Sequence, residues 1–288
     1  MARFMSQAYD GCGGASPPIG CGRNERDGEM DLGLKGRKAI VCASSRGLGR
    51  GCAEALAEAG CDLVVNGRDA AALARTAAEI RAAHGVEVIE IAGDVSDPAV
   101  RGKLLAACPE PDILVNNNGG PPLRDFRELT EEAMMTGVQN NMLTPIALIQ
   151  AVIDGMAERG FGRIVNITSL SVLQPIPGLD LSSGARAGLT AFLAGVAGKV
   201  AGRNVTINHI LPGKFDTARI RGSIEFAAKK AGISVEDQAE RQEAEIPAGR
   251  FGTPQEFGQA CAFLCSVHAG YITAHNLVLD GGLSARAF

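Results

Sequence analysis

The sequence has 288 residues, 46% of them hydrophobic, which is enough apolar material for one sizeable buried core. Its 28 basic and 32 acidic residues are mixed along the chain and give a net charge of -4, so neither a nucleic acid nor an anionic membrane surface is expected as a partner. No apolar run reaches the roughly 20 residues that span a bilayer, and the N-terminus lacks the order of a signal peptide. A cytoplasmic protein with a small-molecule partner is therefore expected.

The eight cysteines support the same compartment. None has the C-x-x-C spacing of a zinc site, and several lie inside apolar segments where a thiol acts as a small hydrophobic group. The cysteines thus predict a reducing environment and no metal site.

Residues 1–29 are rich in Gly, Pro and polar groups without a period, which predicts a disordered leader before one domain over residues 30–288. In that domain, β-branched and apolar runs alternate with helix-length segments. The seven predicted strands are "KAIVCA", "CDLVVN", "VEVIEIA", "DILVNN", "GRIVNIT", "VTINHIL" and "HNLVLD". This alternation predicts a single doubly wound α/β (Rossmann) domain, with a seven-stranded parallel sheet and helices on both faces. Two charged helical stretches within about 218–250 interrupt this alternation of strands and helices. They predict a lid over the substrate.

A glycine-rich turn, "CASSRGLGRG", follows the first strand. Glycines let the backbone approach a pyrophosphate, and a helix that starts there offers free N–H groups to it. A tight strand-to-helix turn without any ligand is the alternative interpretation. The candidate cofactor residues of this turn are Ser44, Ser45, Arg46, Gly47, Leu48 and Gly49.

The second strand ends in "VVNGRD". A site for NAD would place a carboxylate here against the ribose hydroxyls, but Asn66 is present instead and Arg68 follows. Together with Arg46, Arg68 suits a 2'-phosphate, so the sequence favours NADP(H). Alternatively, both arginines are solvated surface residues.

Taken in order, "SSRGLG", "GDVSD", "NNNGG", "GRIVNITS" and "ILPGKFDT" resemble the short-chain dehydrogenase/reductase family over residues 35–283. Within the family, the chain looks most like classical reductases of 3-oxoacyl thioesters. The resemblance implies a homo-oligomer, a dimer or tetramer built through the helices after strands four and five. It also implies cofactor contacts from Asp94, Val95, Asn117, Asn118, Gly119, Pro212, Gly213 and Thr217. For Asp94, a turn or N-cap role is the alternative. Ala43 replaces the first glycine of the family pattern.

The same resemblance locates an altered active site. The family has a serine, a tyrosine thirteen residues later and a lysine four residues after that. Here these positions are Ser169, Ser182 and Arg186, in a register that "ARAGL" sets, and Asn141 in "QNNML" matches the asparagine of the family site. Arg186 is also expected to bind the cofactor ribose. The tyrosine and lysine of the family are thus replaced by serine and arginine.

This exchange changes the proton chemistry. A phenol beside a lysine can titrate near neutrality, whereas a serine hydroxyl is far less acidic and arginine stays charged. The sequence favours an NADP(H)-dependent oxidoreductase of a ketone or secondary alcohol, in which Ser169 and Ser182 hold the oxygen, Arg186 stabilises its charge and water ordered by Asn141 supplies the proton. Two alternatives stay open. One is a non-redox lyase of the retro-aldol type that uses Arg186 as oxyanion stabiliser, and the other is an inactive cofactor-binding or sensor protein.

Overall fold

The structure is a computed structural model that describes residues 30–121 and 123–285. The predicted leader, residues 1–29, lies outside the described residues. The described strands are β1 (Lys38–Val41), β2 (Asp62–Gly67), β3 (Val88–Ala92), β4 (Ile113–Asn116), β5 (Gly162–Ile167), β6 (Val205–Pro212) and β7 (Asn276–Leu279). They form one seven-stranded parallel sheet in the order β3-β2-β1-β4-β5-β6-β7, so the predicted fold class is confirmed.

The helices connect these strands. They are α1 (Gly47–Glu58), α2 (Ala70–His84), α3 (Pro98–Ala107), α4 (Glu131–Val138), α5 (Thr144–Arg159), α6 (Asp180–Val200), α7 (Ala218–Ala231), α8 (Val235–Ala244) and α9 (Pro254–Cys265). Among the described residues, no helix has both the length and the apolar character needed to cross a membrane.

Side chains that alternate along each strand divide the core into two layers. In β1, Val41 packs into the layer that holds α1, α2 and α9, whereas Ile40 packs into the layer that holds α3, α5 and α6. Successive side chains of a strand point to opposite faces of its sheet, so strands buried on both faces carry almost continuous apolar runs. This explains why the strands were recognisable in the sequence.

The strand order reverses between β1 and β4, since β1 pairs with β2 on one side and with β4 on the other. In parallel sheets the connections before and after such a point leave in opposite directions and open a crevice at the carboxyl ends of the strands. The glycine turn follows β1 and the "NNNGG" segment follows β4, so both lie at this crevice.

The helical segment that contains Asn141 is not regular. Asn141 lies in a π-helical turn, Gln139–Leu143, between α4 and α5. A π turn carries an extra residue and often occurs at functional sites. The stretch predicted as a lid forms α7 and α8, which pack against each other after β6.

Candidate active site

In the glycine-rich turn after β1, backbone atoms of the turn and of helix α1 lie very close together. Gly47 has a φ of +59°, the left-handed region that favours glycine. A Cβ at Gly49 would lie 2.3 Å from the carbonyl oxygen of Ala43, so only glycine fits there. Helix α1 begins after Arg46 without a capping side chain. In contrast, α2, α3, α4, α7, α8 and α9 are each capped by Asp, Thr or Ser. The first N–H groups of α1 therefore keep their capacity to bind an anion.

Two predicted cofactor residues are structural supports of this turn. The Asn66 amide accepts a hydrogen bond from the backbone N–H of Ala43 (3.3 Å) and donates to the carbonyls of Ile91 (2.9 Å) and Gly93 (3.1 Å). The Ser44 hydroxyl is fully buried and accepts a hydrogen bond from the backbone N–H of Asn66 at 3.1 Å. Both side chains thus join the ends of neighbouring strands.

The two arginines predicted for the 2'-phosphate contact different neighbours. Arg46 pairs with Asp69 at 2.9 Å, in an exposed salt bridge. Arg68 extends toward the strand ends on the other side, and its Nη2 lies 4.0 Å from the position of a Cβ at Gly119. Its charge also lowers the pKa of Asp94. Both guanidinium groups thus lie beside the crevice, where neither is held by a buried ion pair.

Asp94 and Val95 follow β3. Asp94 Oδ1 accepts hydrogen bonds from the backbone N–H (2.9 Å) and the hydroxyl (2.6 Å) of Ser96, so the aspartate shapes a turn as well as facing the crevice. Burial raises the pKa of Asp94, but the Ser96 hydrogen bonds and the Arg68 charge outweigh this effect and the net pKa is lowered. The Val95 side chain is buried in the core, so its backbone is the part available to a ligand.

Three asparagine and glycine residues after β4 tie that loop to its neighbours. The Asn117 amide donates to the Ala43 carbonyl at 3.2 Å. The Asn118 amide donates to the Asn140 carbonyl at 3.3 Å, and its Oδ1 accepts from the Gly119 N–H at 2.8 Å. The loop therefore connects the glycine turn with the π-helical turn.

The segment after β6 completes the crevice. Pro212 ends β6, and a Cβ at Gly213 would lie 2.6 Å from the Cβ of Asp280, so this glycine allows a close backbone approach. The Cγ2 of Thr217 lies 3.6 Å from the Cβ position of Gly47. Thr217 is the N-cap of α7, so the start of the predicted lid lies against the glycine turn.

Arg186, one of the predicted active-site residues, is only 7% exposed. Its Nε donates to the Ser182 hydroxyl at 3.2 Å, Nη1 to the carbonyl of Ile167 at 2.6 Å and Nη2 to the carbonyl of Asn118 at 3.5 Å. One side chain thus connects α6 with the ends of β4 and β5. A guanidinium has five N–H donors, so two of them have no acceptor within the described residues.

The charge of Arg186 persists at neutral pH. Burial, and in second place the positive charge of Arg219, lowers the pKa of Arg186 to about 10. This value is above physiological pH, so the group is a fixed cation and not a proton donor.

The two remaining predicted catalytic residues each keep a free polar atom. Ser169 Oγ accepts a hydrogen bond from the backbone N–H of Ser171 at 3.1 Å, which leaves its own proton available to donate. The Asn141 amide donates to the Gly137 carbonyl at 3.1 Å, while its buried Oδ1 has no hydrogen-bond partner among the residues that the structure describes. Asn141 also lines a cleft of ≈ 420 Å³ together with Asn118 and other residues around the "NNNGG" loop.

Sequence reasoning missed Arg219. This residue lies in the first turn of α7, and its Nη2 donates to the carbonyl of Pro121 at 3.2 Å, across the crevice from its own helix. Nothing in "TARIRGS" distinguishes Arg219 from Arg221, because the difference depends on which face of α7 meets the loop after β4. Only the three-dimensional packing shows it.

The sheet order and the glycine turn at its reversal point define a Rossmann-type α/β protein. A sequence profile of the family described as Enoyl-(Acyl carrier protein) reductase matches residues 42–284. The chain belongs to the family of short-chain dehydrogenases and reductases.

Individual relatives cover the same part of the chain. The 3-oxoacyl-[acyl-carrier-protein] reductase FabG of Escherichia coli K12 is 32% identical over 256 residues, which are 88% of this chain and 99% of that protein. The NADPH-dependent reductase BacG of Bacillus subtilis is 31% identical over 251 residues, with 85% and 97% coverage. The structure of L-sorbose reductase from Gluconobacter frateurii, complexed with NADPH and L-sorbose, matches with a TM-score of 0.84 at 28% identity and covers 89% of this chain and 100% of that one.

Proposed function

We propose that this protein is an NADP(H)-dependent oxidoreductase that interconverts a ketone and a secondary alcohol, with Ser169, Ser182, Arg186 and Asn141 at its active site. The observation that carries the proposal is the position of Arg186, whose buried guanidinium joins the strand ends at the crevice. Membership of the family and its NADPH-dependent relatives support the redox chemistry.

The residues of the crevice fit NADP(H). The uncapped start of α1 suits a pyrophosphate, and Arg46 and Arg68 suit the additional phosphate of the ribose. At the end of β2, Asn66 stands where an NAD site would carry a carboxylate, and its amide is hydrogen-bonded to the backbone of Ala43, Ile91 and Gly93. When bound, NADPH supplies a hydride to the carbonyl carbon.

Arg186 and the two serines act on the substrate oxygen. Negative charge develops on that oxygen as the carbon is reduced, and a fixed cation in a buried site stabilises it strongly. Arg186 is already held in place by hydrogen bonds to Ser182 and the end of β5, so little reorganisation is needed during the reaction. The Ser169 hydroxyl, whose proton is not used by the protein, donates to the same oxygen.

The proton comes from water. Arg186 remains charged and a serine hydroxyl is a weak acid, so neither releases a proton efficiently. In the described part of the chain the buried Oδ1 of Asn141 has no hydrogen-bond partner, and polar atoms of this kind in a roomy site bind ordered water. We assign to Asn141 the positioning of the water that protonates the alkoxide.

The experiment is a spectrophotometric assay of NADPH oxidation with a panel of ketones and 3-oxoacyl thioesters. We expect slow turnover by the unmodified protein and a reduced kcat in Ser169→Ala and Arg186→Ala. Deuterium at the reactive carbon of the nicotinamide should appear on the alcohol carbon of the product. Cofactor affinity, measured in parallel by calorimetry, shows whether each variant still folds and binds.

A double variant tests the proton step directly. Ser182→Tyr with Arg186→Lys restores the pair found elsewhere in the family, and general acid catalysis typically contributes roughly 10²- to 10⁴-fold. We therefore expect faster reduction of generic ketones by the double variant. Tight cofactor binding without any NADPH oxidation across the panel would instead point to a lyase or a sensor.

A further inference from the structure

The two arginines at the active site carry positive charge that no carboxylate neutralises. In residues 30–121 and 123–285, the acceptors of Arg186 are a hydroxyl and two carbonyls, and the acceptor of Arg219 is the Pro121 carbonyl. Neither guanidinium lies within 4.0 Å of a carboxylate in that part of the chain. Both retain N–H donors for a ligand.

Two other arginines of the chain are engaged differently. Arg221 lies two residues after Arg219 on α7 and binds both carboxylate oxygens of Asp216, each at 2.7 Å. Arg163 also has no carboxylate partner among the described residues and is 1% exposed, but it donates four hydrogen bonds. Its guanidinium also stacks on an aromatic ring, with Cζ 4.3 Å from the centroid of Phe161. Within the described residues, Arg163 thus uses four of its five N–H donors, Arg186 three and Arg219 one.

Both guanidinium groups contact one short loop. Arg186 donates to Asn118 at its beginning and Arg219 to Pro121 at its end. A Cβ at Gly120 would lie 2.8 Å from Nη1 of Arg219, so the bare backbone of this glycine makes room for the guanidinium. The two cations are close enough for the charge of Arg219 to disfavour that of Arg186. Arg186 is buried whereas Arg219 is exposed. Their like charges repel each other, and an anion bound near both relieves the repulsion.

The phosphates of a dinucleotide have other candidate partners. The uncapped start of α1 and Arg46 lie in the glycine turn itself, whereas Arg186 and Arg219 both donate to the loop after β4. The charge of Arg186 is thus beside Ser182, where we place the reacting substrate.

We propose that the substrate of this enzyme carries a carboxylate, that is, it is a small oxo acid or hydroxy acid, and that Arg219 binds the carboxylate while Arg186 faces the reacting oxygen. This inference rests on the proposed function. A guanidinium presents two parallel N–H groups that match the two oxygens of a carboxylate, which makes arginine selective for that group. Neutral ketones lack the group and leave Arg219 unpaired.

The test compares acids with their neutral esters in binding to the protein–NADPH complex at fixed ionic strength. Acetoacetate and methyl acetoacetate form one pair, and pyruvate and methyl pyruvate another. Affinity is measured from the change in NADPH fluorescence. We expect the unmodified protein to prefer at least one acid over its ester by on the order of tenfold or more, the scale of a charge-assisted hydrogen bond.

Two variants on the same helix locate the effect. Arg219→Gln should abolish the preference for the acid and leave the NADPH dissociation constant unchanged. Arg221→Gln should keep the preference, because that arginine is engaged with Asp216 in an exposed pair. Equal binding of acid and ester by the unmodified protein would overturn the inference, and so would a loss of NADPH affinity in Arg219→Gln with the acid preference intact.

The outcomes also separate this inference from the proposed function. Preferential binding of an acid that is never reduced would contradict the redox function and support the carboxylate site. Reduction of neutral ketones without any preference for acids would support the redox function and contradict the carboxylate site.

Discussion

Arg186 connects three parts of the backbone because the donors of a guanidinium are spread over three nitrogens in one plane. Its Nε, Nη1 and Nη2 each donate to a different element, α6, β5 and the loop after β4. A lysine ammonium concentrates its donors on a single nitrogen and does not reproduce this pattern. The residue therefore fixes the geometry of the site in addition to supplying charge.

Ala43 carries backbone strain in the cofactor turn. Its φ is +44°, in the left-handed region, where an L residue with a Cβ is disfavoured by about 1–2 kcal/mol. Ala43→Gly removes that strain and adds about 0.4–1 kcal/mol of unfolded-state entropy. We expect a net gain in the free energy of unfolding of about 0.5–1 kcal/mol, measured by urea denaturation.

Ala78→Gly, at an exposed position inside α2, is the control for Ala43→Gly. Helical glycine is about 1 kcal/mol less favourable than alanine, so this variant should be less stable than the parent. A stability loss of equal size in both variants would show that Ala43 is not strained.

His209 predicts a pH dependence of stability. This histidine is buried on β6, and burial lowers its pKa to about 4. The unfolded chain takes up the proton near pH 6.5 and the folded protein only near pH 4, so stability falls as the pH is lowered through this window. The contribution is about 3 kcal/mol by the size of the shift.

The measurement is the free energy of unfolding of the parent, His209→Gln and His84→Gln at several pH values between 4 and 7. We expect a shallower pH dependence in His209→Gln, because glutamine does not titrate. His84 is exposed at the end of α2, so its variant should follow the parent. The idea fails if the His209 variant keeps the full slope.

At the level of whole elements, α1 and α9 are packed backbone to backbone. A Cβ at Gly258 would lie 2.0 Å from the carbonyl oxygen of Gly51, and a Cβ at Gly51 would lie 2.1 Å from the carbonyl oxygen of Pro254. These contacts involve backbone atoms, which cannot rotate away as a side chain does. Gly258→Ala should therefore lower the free energy of unfolding by about 1–3 kcal/mol, the scale of an overpacked core.

Gly102→Ala is the matched substitution, because Gly102 lies in α3 with nothing within 4 Å of its Cβ position. Here the better helix propensity of alanine should raise stability by up to about 1 kcal/mol. Thermal denaturation of both variants distinguishes the two cases, and a similar effect in each would contradict the close packing of α1 and α9.

The sequence predicted the elements that depend on local pattern, and it did less well where packing decides. The seven strands were found because runs such as those around Ile40 are apolar on both faces. The side chain of Asn66, a predicted cofactor residue, also holds the strand ends together, because its amide donates to carbonyls at and just after the end of β3, and no local pattern indicates this role. The π turn at Asn141 and the reach of Arg219 leave no periodic signal, because each depends on contacts between distant segments.

For the whole molecule, a homo-oligomer remains a prediction. Phe192 on α6 is 49% exposed and Leu143, just before α5, is 42% exposed, which leaves large apolar side chains uncovered on the long helices. We expect sedimentation of the full chain to show a dimer or tetramer and Phe192→Glu to shift it to smaller species. Phe226→Glu, on α7 and 73% exposed, should not. A monomeric parent protein would contradict the prediction.

The contact between α1 and α9 also sets an order of events during synthesis. Helix α1 follows the first strand near the beginning of the domain, and its packing partner α9 lies near the end of the domain. A growing chain emerges from the ribosome N-terminus first. The apolar face of α1 is therefore covered only after most of the domain has been translated. Contacts between such distant segments slow folding. The half of the fold that binds the dinucleotide is thus the last to be completed, and a chain truncated before α9 would expose the apolar face of its own cofactor helix.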